Sequence, residues 1–201
     1  MYSFILPFLA FAFVSSATPG PNNVMLLASG ANFGFRRTLP HMLGISIGHS
    51  FQVALIGLGL LQLFNAYPAS FIVMKVLSAA YLLYLAYKIA NAAPPADAKP
   101  DSKPFTFLQA AAFQWVNPKA LFMAITAQSQ YAQPELGIWG PIAIALLFMA
   151  ANFPAVSIWG YMGVQIKSLL STPRRLRIFN YAMAGILIAT LYPMLTADFT
   201  L

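Results

Sequence analysis

No cysteine occurs among the 201 residues, which excludes disulfides, thiolate nucleophiles and cysteine-based metal sites together. Charge is scarce as well. Only 7% of the residues are charged, against about 25% in a soluble domain, so the chain lacks the polar surface that would keep it dissolved. The four acidic residues lie in connecting segments or near the ends, and no carboxylate is left inside an apolar run to relay protons. No basic residue precedes Arg36, so residues 1–17 lack the charged start of a cleaved signal peptide and are read as part of the mature fold. What remains is apolar: 60% of residues are hydrophobic and the mean hydropathy is +0.72. Residues 1–35 and 38–74 carry no charged side chain, and about 20 apolar residues suffice to cross a bilayer. The chain reads as a polytopic, all-α membrane protein, and its net charge of +7 is interpreted by position relative to the bilayer rather than as affinity for nucleic acid.

Residues 1–35 are too long for one straight span at about 1.5 Å per residue. The sequence supplies an interruption. Thr18-Pro19-Gly20-Pro21-Asn22-Asn23 places two prolines around a glycine inside the apolar run, which removes backbone donors and forbids a continuous helix. Residues 39–64 and 70–90 form the next two spans. Residues 93–104 are polar and proline-rich and are read as a cytoplasmic linker. Residues 105–131 form a fourth span, interrupted at Asn117-Pro118, and residues 138–164 and 178–195 complete a set of six. With six spans, nine cations (Arg36, Arg37, Lys88, Lys99, Lys103, Lys167, Arg174, Arg175 and Arg177) collect on one side and none on the other. Positive residues mark the cytoplasmic side, so both termini are expected outside. The linker then separates residues 1–92 from residues 105–201, two three-helix repeats of opposite orientation, each opening with a broken helix. Inverted-repeat transporters place their binding site at such breaks, near the membrane midplane.

The break at Pro19, Gly20 and Pro21 predicts unpartnered amides near Asn22 and Asn23, suited to a carboxylate at a helix N-terminus. Carbonyls ending the first half-helix, around Ser15, Ser16 and Ala17, are expected to accept from an ammonium, and the asparagine side chains can donate or accept. Together they suit a zwitterion; the competing reading is a proline kink satisfied by neighbouring helices. Lys119 falls some 14 residues into its span, about 20 Å deep and too far to snorkel easily. It is read as a partner for a substrate carboxylate or as a proton carrier, against a structural strut that ties up carbonyls freed at Pro118. Asn117 is expected to orient it. Lys75, near a span end, is expected to snorkel. His41 and His49 are read first as packing residues, with His49 as the second candidate proton carrier. Two histidines without carboxylates make a poor metal site, and neither a metal nor another cofactor is expected. Gly30 with Gly34 and Gly44 with Gly48 match the spacing that lets helices approach closely, and such faces allow a homodimer. Gln109, Gln114, Gln128, Gln130 and Asn152 either line a polar path or bond neighbouring helices.

The stretch from Thr18 to Asn23, with Ser29-Gly30, Gly34, Arg36, Gly44 and Gly48, resembles the first segment of the LysE/RhtB family of amino-acid exporters. Asn117-Pro118-Lys119-Ala120-Leu121 resembles the family's fourth-segment motif, and Tyr81-Leu82 with Lys88 resembles the end of its third. The resemblance covers essentially the whole chain. It implies a small inner-membrane permease that moves amino acids or their derivatives out of the cytoplasm, driven by the proton gradient. Asn22 stands where much of the family has Asp, so any role of that carboxylate is absent. Pro-Gly-Pro-Asn-Asn is similar to the cysteine/O-acetylserine-exporting branch, which implies a small neutral cargo. An intramembrane enzyme would need a nucleophile with a base, or a metal-bound water, and no such set stands out; a channel-like subunit is the other alternative.

Overall fold

The structure, a computed structural model, describes residues 4–60, 62, 66–67, 69–92 and 104–196. All regular structure among these residues is helical. The helices are α1 (Ile5–Ala17), α2 (Pro21–Phe33), α3 (Phe35–Leu55), α4 (Ala69–Ala90), α5 (Phe107–Val116), α6 (Pro118–Tyr131), α7 (Trp139–Lys167), α8 (Pro173–Ala189) and α9 (Leu191–Thr196). A π-helical turn, Ile56–Leu60, extends α3, and short 3-10 turns at Pro134–Leu136 and Ser168–Leu170 flank α7.

Three helical stretches among the described residues are long and apolar enough to cross a membrane by themselves: Phe35–Leu60, Ile72–Ala90 and Trp139–Leu170. The others are short for a physical reason. A residue before proline is pushed out of the helical region, and Thr18 (φ −61°, ψ 142°) and Asn117 (φ −88°, ψ 107°) are both extended there. The 13 residues of α1 reach about 20 Å, against ~30 Å of hydrocarbon. The outer face of α4 presents Ile72, Val73, Val76, Leu77 and Leu83, the apolar exterior that a lipid-facing helix requires.

Element boundaries differ from the sequence reading at two basic segments. Arg36 and Arg37 lie in the first turn of α3 rather than in a loop, because Gly34 (φ +80°) turns the chain in one residue, a backbone state that glycine alone adopts without strain. Arg174, Arg175 and Arg177, expected in a loop, belong to α8. Pro173 starts that helix, and the Thr172 hydroxyl accepts from the Arg175 amide at 3.3 Å, a standard cap. The last expected span is divided at Thr190 between α8 and α9. Most of the linker, residues 93–103, lies outside the described residues, as do Asp97, Lys99, Asp101, Lys103 and Asp198.

Tight helix contacts occur where small residues were expected, with one exception. A Cβ on Gly44 or Gly48 would overlap α5, coming within 2.8 Å of the Ala110 Cβ and 2.6 Å of the Ala111 Cα respectively. Gly30 meets the backbone of Gly160 and Gly163 on α7. Gly34 packs against nothing and serves as the turn. Gly30, Gly44 and Gly48 are thus used in contacts within the chain. Eleven of the thirteen residues of α2 are buried, Leu26 in a cluster with Val156 of α7 and Met25 in one with Leu82 and Leu85 of α4, which holds the first break against the bundle.

Candidate functional site

The chain is extended through Gly20 (φ −176°, ψ 177°), and Pro21 opens α2 at its first position, where the missing amide proton costs nothing. Asn117 makes the second break by itself. It ends α5 and caps α6, its side-chain oxygen accepting from the Lys119 amide at 3.1 Å.

The two breaks meet. The Lys119 ammonium donates to the Thr18 carbonyl at 2.5 Å, the Thr18 hydroxyl at 2.9 Å and the Pro19 carbonyl at 3.4 Å. These carbonyls belong to the first break and not to Pro118, where the strut reading placed them. Gly20 makes room for the lysine stem: a Cβ there would sit 2.9 Å from the Lys119 Cδ. Asn23 is buried and donates to the Ser16 carbonyl at 3.0 Å and the Thr18 carbonyl at 2.6 Å. Trp159 Nε1 donates to the Ala17 carbonyl at 3.0 Å. All three acceptors expected for a bound ammonium are therefore taken by the protein, that of Ser15 by the Thr18 hydroxyl at 2.7 Å. The Asn23 amide, expected to be free, bonds to the Gly20 carbonyl at 3.0 Å, because one tight turn is enough to close the first donor of α2.

Asn22 pairs with Gln114 of α5 through two hydrogen bonds, at 2.8 and 3.2 Å. From there a polar chain continues into the core. The Gln114 carbonyl accepts from Gln52 at 2.8 Å, and Gln52 Oε1 lies 3.1 Å from His49 Nδ1. Because the Gln52 amide nitrogen is committed to a carbonyl, its oxygen must accept, so Nδ1 of a neutral His49 carries the proton and Nε2 is a bare acceptor. Among the described residues Nε2 has no hydrogen-bond partner, and the ring packs edge-on against Phe148 at 4.6 Å.

Asn152 of α7 closes the other side, accepting from Ser46 at 2.8 Å and donating to the Ser16 hydroxyl at 2.9 Å. Ser16, Gly20, Asn22, Asn23, Asn117, Lys119, Met123, Asn152 and Val156 enclose a central cavity with about 10 Å³ of room for water, enough for one molecule. The remaining polar-path candidates separate. Gln109 belongs to the capping box of α5 with Thr106, and Gln128 ties α6 to the Val53 and Pro141 carbonyls. Gln130 is exposed, and Lys75 donates to the Leu195 carbonyl at 3.4 Å near the bundle surface. Sequence reasoning missed Thr18 as a lysine acceptor, along with Ser46, Gln52 and Trp159. A hydroxyl or amide on an otherwise apolar helix is the only signal, and it does not say which neighbour it meets.

The ends of the bundle differ. Beside Lys88, Asn32 and Phe105, at the end that carries Arg36, the cavity has about 40 Å³ of room. At the opposite end, between Gly57, Gly59, Gln128, Ser129 and Gln133, it has about 350 Å³.

Residues 13–191 match the LysE type translocator family. The chain belongs to that family. It is 30% identical to the cysteine/O-acetylserine efflux protein of Klebsiella pneumoniae over 187 residues, 92% of this chain and 93% of that one. The protein of the same name from Escherichia coli K12 is 30% identical over 78% of this chain and 80% of its own. That from Salmonella typhi is 34% identical over 64% and 65% respectively. No solved structure matches the chain. Membership makes this translocator a membrane transport protein and not an enzyme.

Proposed function

We propose that this translocator exports a small neutral amino acid, or a close derivative, from the cytoplasm across the inner membrane. The observation that carries the proposal is the meeting of the two breaks, which the Lys119 ammonium joins. Asn22, Asn23 and the backbone of Pro19, Gly20 and Pro21 bind the cargo, Lys119 pairs with its carboxylate, and Asn117 orients Lys119 by capping α6. The names of the relatives support cysteine or O-acetylserine as cargo.

The architecture that goes with this reading has six spans. The pairs α1–α2 and α5–α6 each count as one, residues 1–92 and 105–201 are inverted repeats, both termini lie in the periplasm, and the basic ends of α3, α4, α7 and α8 face the cytoplasm. Rocking of the repeats opens the site to each side in turn. The large cavity beside Gln128 is then an exit vestibule and the narrow one beside Lys88 a closed entrance.

Proton coupling runs through His49 or Lys119. The bare Nε2 of His49 and its hydrogen-bonded chain through Gln52 and Gln114 to Asn22 support His49. Lipid surrounds the bundle, and a homodimer, if formed, uses surfaces other than the buried glycines.

Efflux from preloaded proteoliposomes tests the proposal. Cysteine and O-acetylserine should leave faster than lysine, and faster still with an imposed pH gradient. No flux of any amino acid through folded protein would overturn it. His49→Gln should keep downhill exchange while losing the response to the gradient; an unchanged response would remove His49 from the proton path.

A further inference from the structure

Among the described residues the Lys119 ammonium is held by three neutral oxygens and no carboxylate: the Thr18 carbonyl, the Thr18 hydroxyl and the Pro19 carbonyl. We propose that these three oxygens are the binding subsite for the primary ammonium of the cargo, and that Lys119 is its tethered occupant while the protein is empty. The proposal rests on the amino-acid reading above and names the subsite that reading leaves open.

The chemistry of the cradle fits this ligand. An ammonium has three N–H donors and no acceptor, and the cradle supplies three acceptors and no donor it must use. It lies just past the C-terminal end of α1, where the aligned peptide dipoles favour a cation. Thr18 and Pro19 are exposed on the chain, so a small molecule can reach their oxygens once Lys119 leaves. The central cavity has room for about one water, which is too little for an amino acid beside the lysine. Cargo must therefore replace the Lys119 ammonium.

That exchange conserves interactions. The cargo ammonium takes the three oxygens, and the released Lys119 ammonium pairs with the cargo carboxylate. A charge-assisted bond to a carboxylate is stronger than one to a neutral carbonyl, so the swap is favourable only for a molecule with both groups. A ligand without an ammonium leaves the cradle empty. A ligand without a carboxylate leaves Lys119 unpaired. The single residue that blocks the empty site thus selects for a zwitterion.

The subsite can be tested without any amino acid. Full-length Lys119→Ala and Lys119→Met protein, shown to be monodisperse and helical in detergent, is dialysed against radiolabelled methylammonium, with choline as a cation lacking N–H donors. Saturable binding at least about tenfold tighter than in wild type is expected from the loss of a competitor held by charge-assisted bonds. Choline should not compete, and adding Thr18→Val should weaken binding several-fold. Binding no tighter than wild type in folded Lys119→Met, or equal displacement by choline, would overturn the proposal.

Thr18→Val alone, which keeps Lys119, gives an independent reading by transport. Because Lys119 and the cargo ammonium use the same oxygens in turn, the KM for an amino acid should change by less than about twofold, while inhibition by 3-hydroxypropionate, a carboxylate that frees Lys119 without filling the cradle, should strengthen several-fold. Equal weakening of both would assign Thr18 a structural role only. Methylammonium binding without amino-acid flux would keep the subsite and reject the export reading; amino-acid flux without methylammonium binding would do the reverse.

Discussion

The two helix breaks solve one problem in different settings, one buried at Asn117 and one exposed at Thr18 and Pro19. Both free backbone groups inside an apolar bundle, where each unpaired group is costly. The second break is one residue long and buried: Asn117 caps α6 with its own side chain, and Gln52 and Ser78 of other helices donate to the Gln114 and Val116 carbonyls. The first is longer and exposed at Thr18 and Pro19, and its carbonyls are satisfied by Asn23 of the same stretch and by Trp159 and Lys119 of other helices. A buried break held on both sides is a fixed support. An exposed break can be opened by moving Lys119 away, so the second break positions Lys119 and the first receives it.

The largest effect should come from cutting the link between them. Lys119→Ala removes every bond between the breaks and the proposed carboxylate partner. Initial efflux rates in proteoliposomes should fall more than about tenfold, since bonds to charged groups contribute roughly 1.5–3 kcal/mol. An efflux rate equal to wild type would make Lys119 a strut alone. Next, Asn23→Leu strips the buried donor from the Ser16 and Thr18 carbonyls, and thermal unfolding in detergent should show a loss of about 2 kcal/mol, the cost of buried acceptors left unpaired. Asn117→Ala should cost about 1 kcal/mol, the value of one N-cap, and Asn117→Asp should recover most of it. If Asn117→Ala proved as damaging as Asn23→Leu, Asn117 would do more than cap α6. Gly20→Ala is the mildest. Its φ near −176° suits any residue, so the change acts only by pressing on the flexible Lys119 stem. Its effect should fall below the about 1–3 kcal/mol of core overpacking and appear as a few-fold drop in efflux with an unchanged melting temperature.

Much of this arrangement is visible along the chain because proline and glycine act locally. Pro19, Gly20, Pro21 and Pro118 mark both breaks, and each bends the backbone where the sequence places it. Gly44 and Gly48 mark a close approach, although the partner, α5, does not follow from their spacing. Gly34 misled because a glycine at helical spacing can serve packing or a turn, and only its φ of +80° distinguishes them. Helical starts at Phe35 and Pro173 were placed too late for a related reason: arginines in a first turn read as loop when polarity alone is weighed.

The sequence by itself determined a membrane-embedded helical protein with two interrupted helices and a lone deep lysine, because composition, proline geometry and charge position are local properties. Tertiary structure decided which groups those residues meet. Lys119 and Thr18 are 101 residues apart, one in each half of the chain, and Asn22 finds Gln114 across 92. Hydrogen bonds are directional and reach only about 3 Å, so a partner on another helix is specified by packing, and no pattern along one chain records it.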